Sequence, residues 1–113
     1  MLLDHGRYME ALAAFDVALR FDTRDSRAST GRGNALRGLG NNEGALAAYE
    51  WALQCDQQNA AACYGKALIL AEQEHYRQAI AVYDQAIRLH PGFADAYCGK
   101  GNALLPFEIF ARR

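Results

Sequence analysis

The chain repeats one nine-residue pattern every 34 residues, as ALAAFDVAL (11–19), ALAAYEWAL (45–53) and AIAVYDQAI (79–87). Each copy places small or apolar side chains at positions i, i+1, i+4, i+7 and i+8, which form one broad face of an α-helix. No window shows the alternation of polar and apolar residues that is typical of a half-buried strand. We therefore predict an all-α protein in which these three stretches form equivalent helices.

Shifting the chain by this interval also aligns residues that allow helices to pack closely. Where two helices cross, a methyl-sized side chain keeps the backbones close, and an aromatic residue fills the space between neighbouring hairpins. The predicted packing residues are Ala11, Phe15, Ala18, Ala45, Tyr49, Ala52, Ala79, Tyr83 and Ala86. A further column holds Gly31, Gly65 and Gly99, which we interpret either as a roomy groove floor or as places of close helix approach.

Helix breakers separate the repeated stretches from two further helices, predicted at about 27–39 and 60–72. Asn and Ser are good N-caps, whereas Gly and Pro end helices. The predicted boundary signals are a stop and cap at Gly40-Asn41-Asn42, N-caps at Ser26 and Asn59, a stop at His90-Pro91-Gly92, and an end near Leu105 before Pro106. The repeated unit is therefore a pair of antiparallel helices joined by a short turn.

The stretch YGKALILAEQEHYRQAIAVYDQAIRLHP (64–91) has a small, an aromatic and a small residue in order, followed by Pro91. In this order it resembles a tetratricopeptide repeat (TPR). The resemblance implies one domain over residues 1–113, folded as a right-handed superhelical solenoid of stacked hairpins. Its expected parts are the C-terminal part of a repeat at 1–25 (the end of its first helix and its whole second helix), full repeats at 26–59 and 60–93, and a first helix with a divergent tail at 94–113.

The repeats of this chain have drifted from the TPR pattern. The aromatic residue expected early in the first helix is present as Tyr97 but replaced by Ser29 and Cys63. The closing proline is kept only as Pro91, which we count among the helix-packing residues that the resemblance implies. These changes leave the predicted fold in place.

The resemblance also implies a function. In TPR proteins the first helices line a concave groove that binds peptides or helices of partner proteins, so we expect a protein-protein interaction module. The groove positions carried over to this chain are Arg27, Thr30, Asn34, Arg37, Ala61, Tyr64, Leu68, Ala71, Asp95, Cys98 and Asn102. Asn34 and Asn102 have side chains that donate and accept hydrogen bonds, and Tyr64 offers apolar contact. The alternative for each residue is an ordinary solvated helix face.

One specialised version of this function is not expected. Some TPR domains that serve chaperones grip a C-terminal carboxylate with Lys, Asn and Arg side chains. The matching places in this chain are Thr30, Asn34, Gly65, Asp95 and Gly99. Only Asn34 fits, and Asp95 would repel the carboxylate.

Composition and motifs give little support for other functions. The 113 residues carry a net charge of −1, so no positive field favours nucleic acid or anionic membranes. We see no targeting segment and no apolar run long enough to span a membrane. The histidines (His5, His75 and His90) lie near predicted helix ends, where we expect them to satisfy local carbonyl groups. We therefore predict a cytoplasmic protein with no catalytic residue, metal or cofactor, and three cysteines that are buried or half-buried.

Self-assembly is the alternative function. The sequence begins with part of a repeat and ends with a first helix, so each end should expose an apolar face. The N-terminal face of one molecule can stack on the C-terminal face of another, giving rings or fibres, whereas a swapped or isologous dimer closes. A third arrangement leaves a monomer, because the tail residues Phe107, Ile109 and Phe110 can fold back over the open face.

Overall fold

Six α-helices joined by short turns make up the described chain. The computed structural model describes the backbone of residues 2–111 and the side chains of residues 5–106. The helices are α1 (Leu2–Phe21), α2 (Ser26–Gly38), α3 (Asn42–Cys55), α4 (Ala60–Glu72), α5 (Tyr76–Leu89) and α6 (Ala94–Ala111). Within the described backbone there is no strand, and the all-α prediction is confirmed.

The helices stack in chain order into a curved array. Each helix packs on the next one, and the short turns between them make neighbours antiparallel. In addition α2 packs on α4 and α4 on α6, whereas the described backbones of α1, α3 and α5 do not approach one another as closely. The even-numbered helices are therefore closer together, which places them on the concave side of the array and the odd-numbered helices on the convex side.

Polar side chains begin three of the helices. Asn41 and Asn59 are the N-caps of α3 and α4, and each accepts a hydrogen bond from the backbone N–H three residues on. The prediction for Asn59 is confirmed. The prediction for Ser26 is wrong, because the carboxylate of Asp25 caps α2 and the Ser26 hydroxyl donates instead to the carbonyl oxygen of Ala52 in α3, at 2.8 Å. A carboxylate at this place also interacts favourably with the helix dipole.

Helix α6 continues beyond the predicted stop. It runs from Ala94 to Ala111 with Pro106 inside it, so the prediction of an end near Leu105 is wrong. The proline ring fixes φ near a helical value and removes a single backbone donor, the one that would reach the carbonyl of Asn102. An 18-residue helix retains most of its backbone hydrogen bonds across such a gap.

Helix α1 is one continuous helix, whereas the sequence predicted the end of one helix and a second helix within residues 1–25. In the two later repeats the corresponding turn contains Gly40 and Glu74, both with positive φ (84° and 64°). The matching residue in α1 is Gly6, and the helix passes through it. Those turns fold a helix back onto the one before it. Helix α1 has no described helix before it, so the backbone gains more hydrogen bonds by remaining helical.

Aromatic rings of the odd-numbered helices pack against glycines of the helix that follows. A Cβ atom built on Gly31, Gly65 or Gly99 would lie no more than 2.5 Å from the nearest ring atom of Phe15, Tyr49 or Tyr83, respectively. Each ring therefore occupies the space that a methyl group would need. Of the two interpretations of this glycine column, close approach is the one that these contacts support.

The buried core follows the repeated columns along the array. The tyrosines and alanines of the repeated columns in α3 and α5 are almost fully buried, namely Ala45, Tyr49, Ala52, Ala79, Tyr83 and Ala86. Their counterparts in α1 (Ala11, Phe15 and Ala18) are half-buried, because α1 packs only on α2. Pro91 is exposed in the turn between α5 and α6. The middle of the stack is therefore the best packed part of the described chain.

Candidate functional site

A cleft on the concave side lies between α4 and α6 and has α5 as its floor. Its volume is about 390 Å³. Six of the eleven groove residues expected from the sequence line it together: Tyr64, Leu68, Ala71, Asp95, Cys98 and Asn102. The structure adds six further lining residues that sequence reasoning did not assign to the groove: Glu72, Tyr76, Tyr83, Gly99, Ala103 and Pro106.

Aromatic rings form one wall of this α4–α6 cleft. The ring of Tyr64 lies 5.0 Å from that of Phe93 and 6.1 Å from that of Tyr83, measured between centroids, with tilted planes. These distances are within the range of favourable aromatic pairs. The contacts fix the orientation of Tyr64 while leaving its surface partly exposed to the cleft.

The hydroxyl group of Tyr83 lies at the bottom of the cleft without a hydrogen-bond partner. Tyr83 is 1% exposed, and no described residue forms a hydrogen bond with its hydroxyl. The oxygen would lie 2.7 Å from a Cβ atom on Gly99, which itself lines the cleft. Burial raises the pKa of Tyr83, and the nearby Tyr64 and Glu72 raise it further. The group is therefore neutral at ordinary pH and can donate a hydrogen bond.

The equivalent tyrosine of the preceding repeat is fully partnered. The hydroxyl of Tyr49 donates to Oδ1 of Asn34 at 2.5 Å and accepts a longer hydrogen bond from Nε of Arg37 at 3.4 Å. One repeat later, the positions of Asn34 and Arg37 are taken by Leu68 and Ala71, which have no polar side-chain atoms. The substitution of two polar residues by apolar ones is why the Tyr83 hydroxyl has no partner.

Two carboxylates line the α4–α6 cleft, although the positive charge of Arg37 on α2 also acts on its residues Tyr64 and Tyr83. Glu72 at the end of α4 and Asp95 at the start of α6 both line it, and no Lys or Arg is among its lining residues. Burial raises the pKa of Tyr64, and the carboxylate of Asp95 contributes to the same shift. On the other side of α6, Nζ of Lys100 is 2.7 Å from Asp84 of α5, so that cation is already paired.

A smaller cleft repeats the same construction two repeats earlier. It has a volume of about 180 Å³ and is lined by Tyr8, Ala11, Phe15, Gly31, Asn34 and Ala35. Five of these residues have an equivalent, two repeats later in the sequence, that lines the α4–α6 cleft: Tyr76, Tyr83, Gly99, Asn102 and Ala103. The same column holds Phe15 in one cleft and Tyr83 in the other, so the hydroxyl group is an addition specific to the α4–α6 cleft.

The other expected groove residues lie on α2 and at the start of α4. Arg27 and Ala61 are exposed, and Arg37 is half-buried. Asn34 is exposed but engaged with Tyr49, so its amide is only partly available. Thr30 does not fit the expectation of an open groove residue, because it is 7% exposed. Its hydroxyl donates to the Ser26 carbonyl and accepts from the side-chain amide of Asn59, the N-cap of α4, which holds α2 against α4.

The histidines and cysteines do not gather into a site. Within the described part of the chain, no three His, Cys, Asp or Glu residues are close enough to hold a metal ion. His75 occupies the N-cap of α5 and makes no capping hydrogen bond, and a helix N-terminus offers N–H groups and not the carbonyls that it was expected to satisfy. All three cysteines are free; Cys63 is buried and Cys55 half-buried, as expected, but Cys98 is exposed because it faces the cleft.

Comparisons with protein families identify the repeat. A model described as "Tetratricopeptide repeat" matches residues 2–60, and one described as "TPR repeat" matches residues 67–105. The chain belongs to the tetratricopeptide repeat family. TPR domains are generally interaction modules that bind peptides or proteins, and they are not enzymes as a rule. A search of curated protein sequences finds no significant match.

Solved structures confirm the TPR fold. The Sgt2 TPR domain from Aspergillus fumigatus is 19% identical, with a TM-score of 0.88 over 96% of this chain and 73% of that one. The first TPR of Spaghetti (RPAP3), bound to the HSP90 peptide SRMEEVD, is 16% identical, with a TM-score of 0.85 over 91% and 82%. YrrB, a TPR protein with an unusual peptide-binding site, is 28% identical, with a TM-score of 0.82 over 87% and 50%.

These comparisons show how much of each relative the chain represents. It spans half of the YrrB chain, whereas it spans 73% of the Sgt2 domain. Among the described helices, none has the length and apolar character needed to cross a membrane.

Proposed function

We propose that this TPR domain binds a peptide segment of a partner protein on its concave side, with the α4–α6 cleft as the main contact. The observation that supports this proposal is the cleft itself. Six residues that the TPR pattern assigns to ligand contact lie together there, and apolar walls surround a few polar groups. This combination is typical of ligand-binding sites, in which apolar area gives affinity and a few polar groups give orientation.

The size of the cleft suits part of a peptide. A volume of about 390 Å³ is enough for one or two side chains but not for a folded domain. The solved TPR relatives that are described as peptide-bound or peptide-binding make the same mode of recognition reasonable for this chain. The free state of the three cysteines supports the expected cytoplasmic location.

The chain supplies its own reporter for the test. Cys98 is exposed in the cleft, whereas Cys55 is half-buried and lies on α3, outside it. Peptides that bind the domain would be selected from a phage-displayed random library and synthesised. Mass spectrometry would then measure how each peptide changes the rate at which iodoacetamide alkylates each thiol. We expect bound peptide to slow alkylation of Cys98 and to leave that of Cys55 unchanged.

Two neighbouring residues give a matched pair of variants. Asn102 lines the cleft, and Asn102→Trp should fill it and weaken peptide binding at least tenfold. Gly101 is adjacent on α6, outside the cleft lining, and a Cβ atom there meets nothing within 4 Å. Gly101→Trp should therefore retain binding. If peptides bind equally well to Asn102→Trp and leave Cys98 unprotected, the cleft is not the site.

Self-association is a second candidate, favoured by exposed apolar side chains at both ends of the array. On α6, Tyr97 is 52% exposed, although its counterparts Ser29 and Cys63 are covered by the helix that follows them. On α1, Met9 and Phe21 are 61% and 89% exposed. Helix α1 of a second copy can pack on α6 as α3 packs on α2. The side chains of Phe107, Ile109 and Phe110, which the sequence analysis considered as a cover, lie outside the described residues.

Light scattering over a wide range of concentration tests this second candidate. In the hairpin of α2 and α3, the ring of Tyr49 packs against Gly33, and Gly101 is the equivalent residue on α6. Gly101→Trp should therefore block association through this face, whereas Asn102→Trp should not. A mass that stays monomeric at every concentration would reject self-association and leave the groove as the functional surface.

A further inference from the structure

The unpartnered hydroxyl of Tyr83 indicates what kind of ligand atom the cleft receives. A hydroxyl that lines a cleft and has no protein partner is available to form a hydrogen bond with a ligand. No described residue forms a hydrogen bond with this hydroxyl, and its apolar neighbours Leu68 and Ala71 replace the amide and guanidinium that serve Tyr49. A backbone carbonyl oxygen of an extended peptide is a suitable acceptor, because it is present whatever the side chains of the ligand are.

The charges at the rim indicate the side chain that should lie beside that carbonyl. Glu72 and Asp95 come from different helices and face the same cleft, which contains no basic side chain of its own. The nearest cation on α6, Lys100, is held by Asp84. Two carboxylates with no paired cation attract a basic group of the ligand and repel an acidic one.

Between these polar groups the walls are apolar. Tyr64, Leu68, Ala71 and Pro106 provide the surface against which an aliphatic or aromatic side chain can be buried. Resting on the proposed groove function, we infer that the α4–α6 cleft recognises a segment with an apolar side chain next to a Lys or Arg, whose backbone carbonyl accepts a hydrogen bond from Tyr83. The partner is thus an apolar and basic segment of another protein.

The end of the groove formed by α2 is positively charged, so an acidic ligand, which is the alternative to a basic one, would bind there. Arg27 occupies on α2 the position that Asp95 occupies on α6, and Arg37 lies at the other end of the same helix. No acidic residue is present in α2. An acidic ligand would therefore bind at Arg27, at the far end of α2 from Arg37, whose charge acts on Tyr64 and Tyr83 of the α4–α6 cleft.

Three pools of short synthetic peptides test the inference. All peptides would have blocked ends, a fluorescent label and leucine or phenylalanine at the central positions. The flanking residues would be Lys and Arg in the basic pool, Asp and Glu in the acidic pool, and Ser and Gln in the neutral pool. Binding would be followed by fluorescence anisotropy. We expect the basic pool to bind roughly tenfold more tightly than the acidic pool, because each partly exposed ion pair contributes a few-fold at most.

Two conservative variants separate the charge from the hydroxyl. Asp95→Asn should reduce the preference for the basic pool by roughly threefold and leave the neutral pool unchanged. Tyr83→Phe should weaken the basic and neutral pools alike, by about fivefold, since it removes a hydrogen bond to the backbone. The melting temperature of Tyr83→Phe should stay that of the parent, because Phe15 shows that a phenyl ring fits the equivalent place.

The outcomes distinguish this inference from the function on which it rests. If all pools bind equally and Asn102→Trp abolishes binding, the groove function stands and the basic–apolar preference is wrong. Tighter binding of the acidic pool that is lost in Arg27→Glu, or binding that Tyr83→Phe leaves unchanged, also overturns the inference. If no pool binds the parent protein, or binding is indifferent to Asn102→Trp, the proposed groove function is wrong as well.

Discussion

Substituting Gly65 by alanine tests whether the glycine column exists to accommodate aromatic rings. A Cβ atom at Gly65 would lie 2.6 Å from Cε1 of Tyr49, well inside van der Waals contact. The ring cannot move aside easily, because a Cβ position on Gly33 is also only 2.6 Å from this atom and the hydroxyl is bound to Asn34 at 2.5 Å. Tyr49 is also completely buried. The added methyl group must therefore displace packed atoms.

Three contributions determine the expected change in the free energy of unfolding of Gly65→Ala. Overpacking a buried site costs about 1–3 kcal/mol, and loss of the Tyr49 hydrogen bond costs about 0.5–1.5 kcal/mol. Alanine in place of glycine within a helix returns about 1 kcal/mol through its helix propensity. Gly65→Ala should thus lower the free energy of unfolding by about 1–3 kcal/mol. Gly101→Ala is the control, and it should raise stability by about 0.5–1 kcal/mol because its methyl group meets open space.

Urea unfolding followed by far-ultraviolet circular dichroism measures both changes. The two variants carry the same chemical substitution in the middle of a helix, so a difference in sign between them can come only from what surrounds the new methyl group. If Gly65→Ala proves as stabilising as Gly101→Ala, the ring of Tyr49 is not confined and the explanation of the glycine column is wrong. Equal m-values would show that the comparison concerns stability alone.

Three further results are expected. Asn59→Ala should lower the free energy of unfolding, measured in urea, by about 2–3 kcal/mol, because it removes the α4 cap and two hydrogen bonds to α2 hydroxyls. Asn59→Asp keeps the cap and should lower it by about half as much. Iodoacetamide should modify Cys98 quickly and Cys63 only on unfolding, since burial hides the Cys63 thiol and raises its pKa; rapid native-state labelling of Cys63 would contradict this. Burial raises the pKa of Cys63 above its unfolded value of 9.0 and those of Tyr49 and Tyr83 above 10.0, so the free energy of unfolding should fall as the pH rises above 9, with a shallower fall above pH 10 in Tyr83→Phe than in the parent.

The helices could be predicted because neighbouring repeats make the same contacts. Equivalent packing surfaces require equivalent residues, so shifting the sequence by one repeat reveals them. The predicted bounds of 60–72 are those of α4 in the structure, since Asn59 caps its start. The choice between Asp25 and Ser26 as a cap depends on a contact with α3 that local sequence does not contain. The course of α6 through Pro106 likewise depends on the whole length of that helix.

The site was less predictable, because hydrogen bonds between different helices decide which groove residues are available. Asn34 is engaged by a tyrosine 15 residues later, and Thr30 by an asparagine 29 residues later. Neither partner lies on the same helix as the residue it engages. Tyr76 and Tyr83 were missed for a different reason, since residues of a convex-side helix can reach between two concave helices. The sequence signal that could have indicated Tyr76 is its equivalence to Tyr8, two repeats earlier.

The period separates the residues that build this fold from those that select a ligand. Columns that keep one residue type, such as alanine or glycine, are those where two helices meet, because the geometry of the contact recurs in every repeat. Columns on the concave side change their chemistry instead, as in Arg27, Ala61 and Asp95, or Arg37, Ala71 and Leu105. A groove made of identical repeats would present the same surface at each step and bind a ligand in several registers. The change from the arginines of α2 to the carboxylates of Glu72 on α4 and Asp95 on α6, together with the free hydroxyl of Tyr83, makes the positions along this groove unequal, and a bound segment can therefore have one register and one direction.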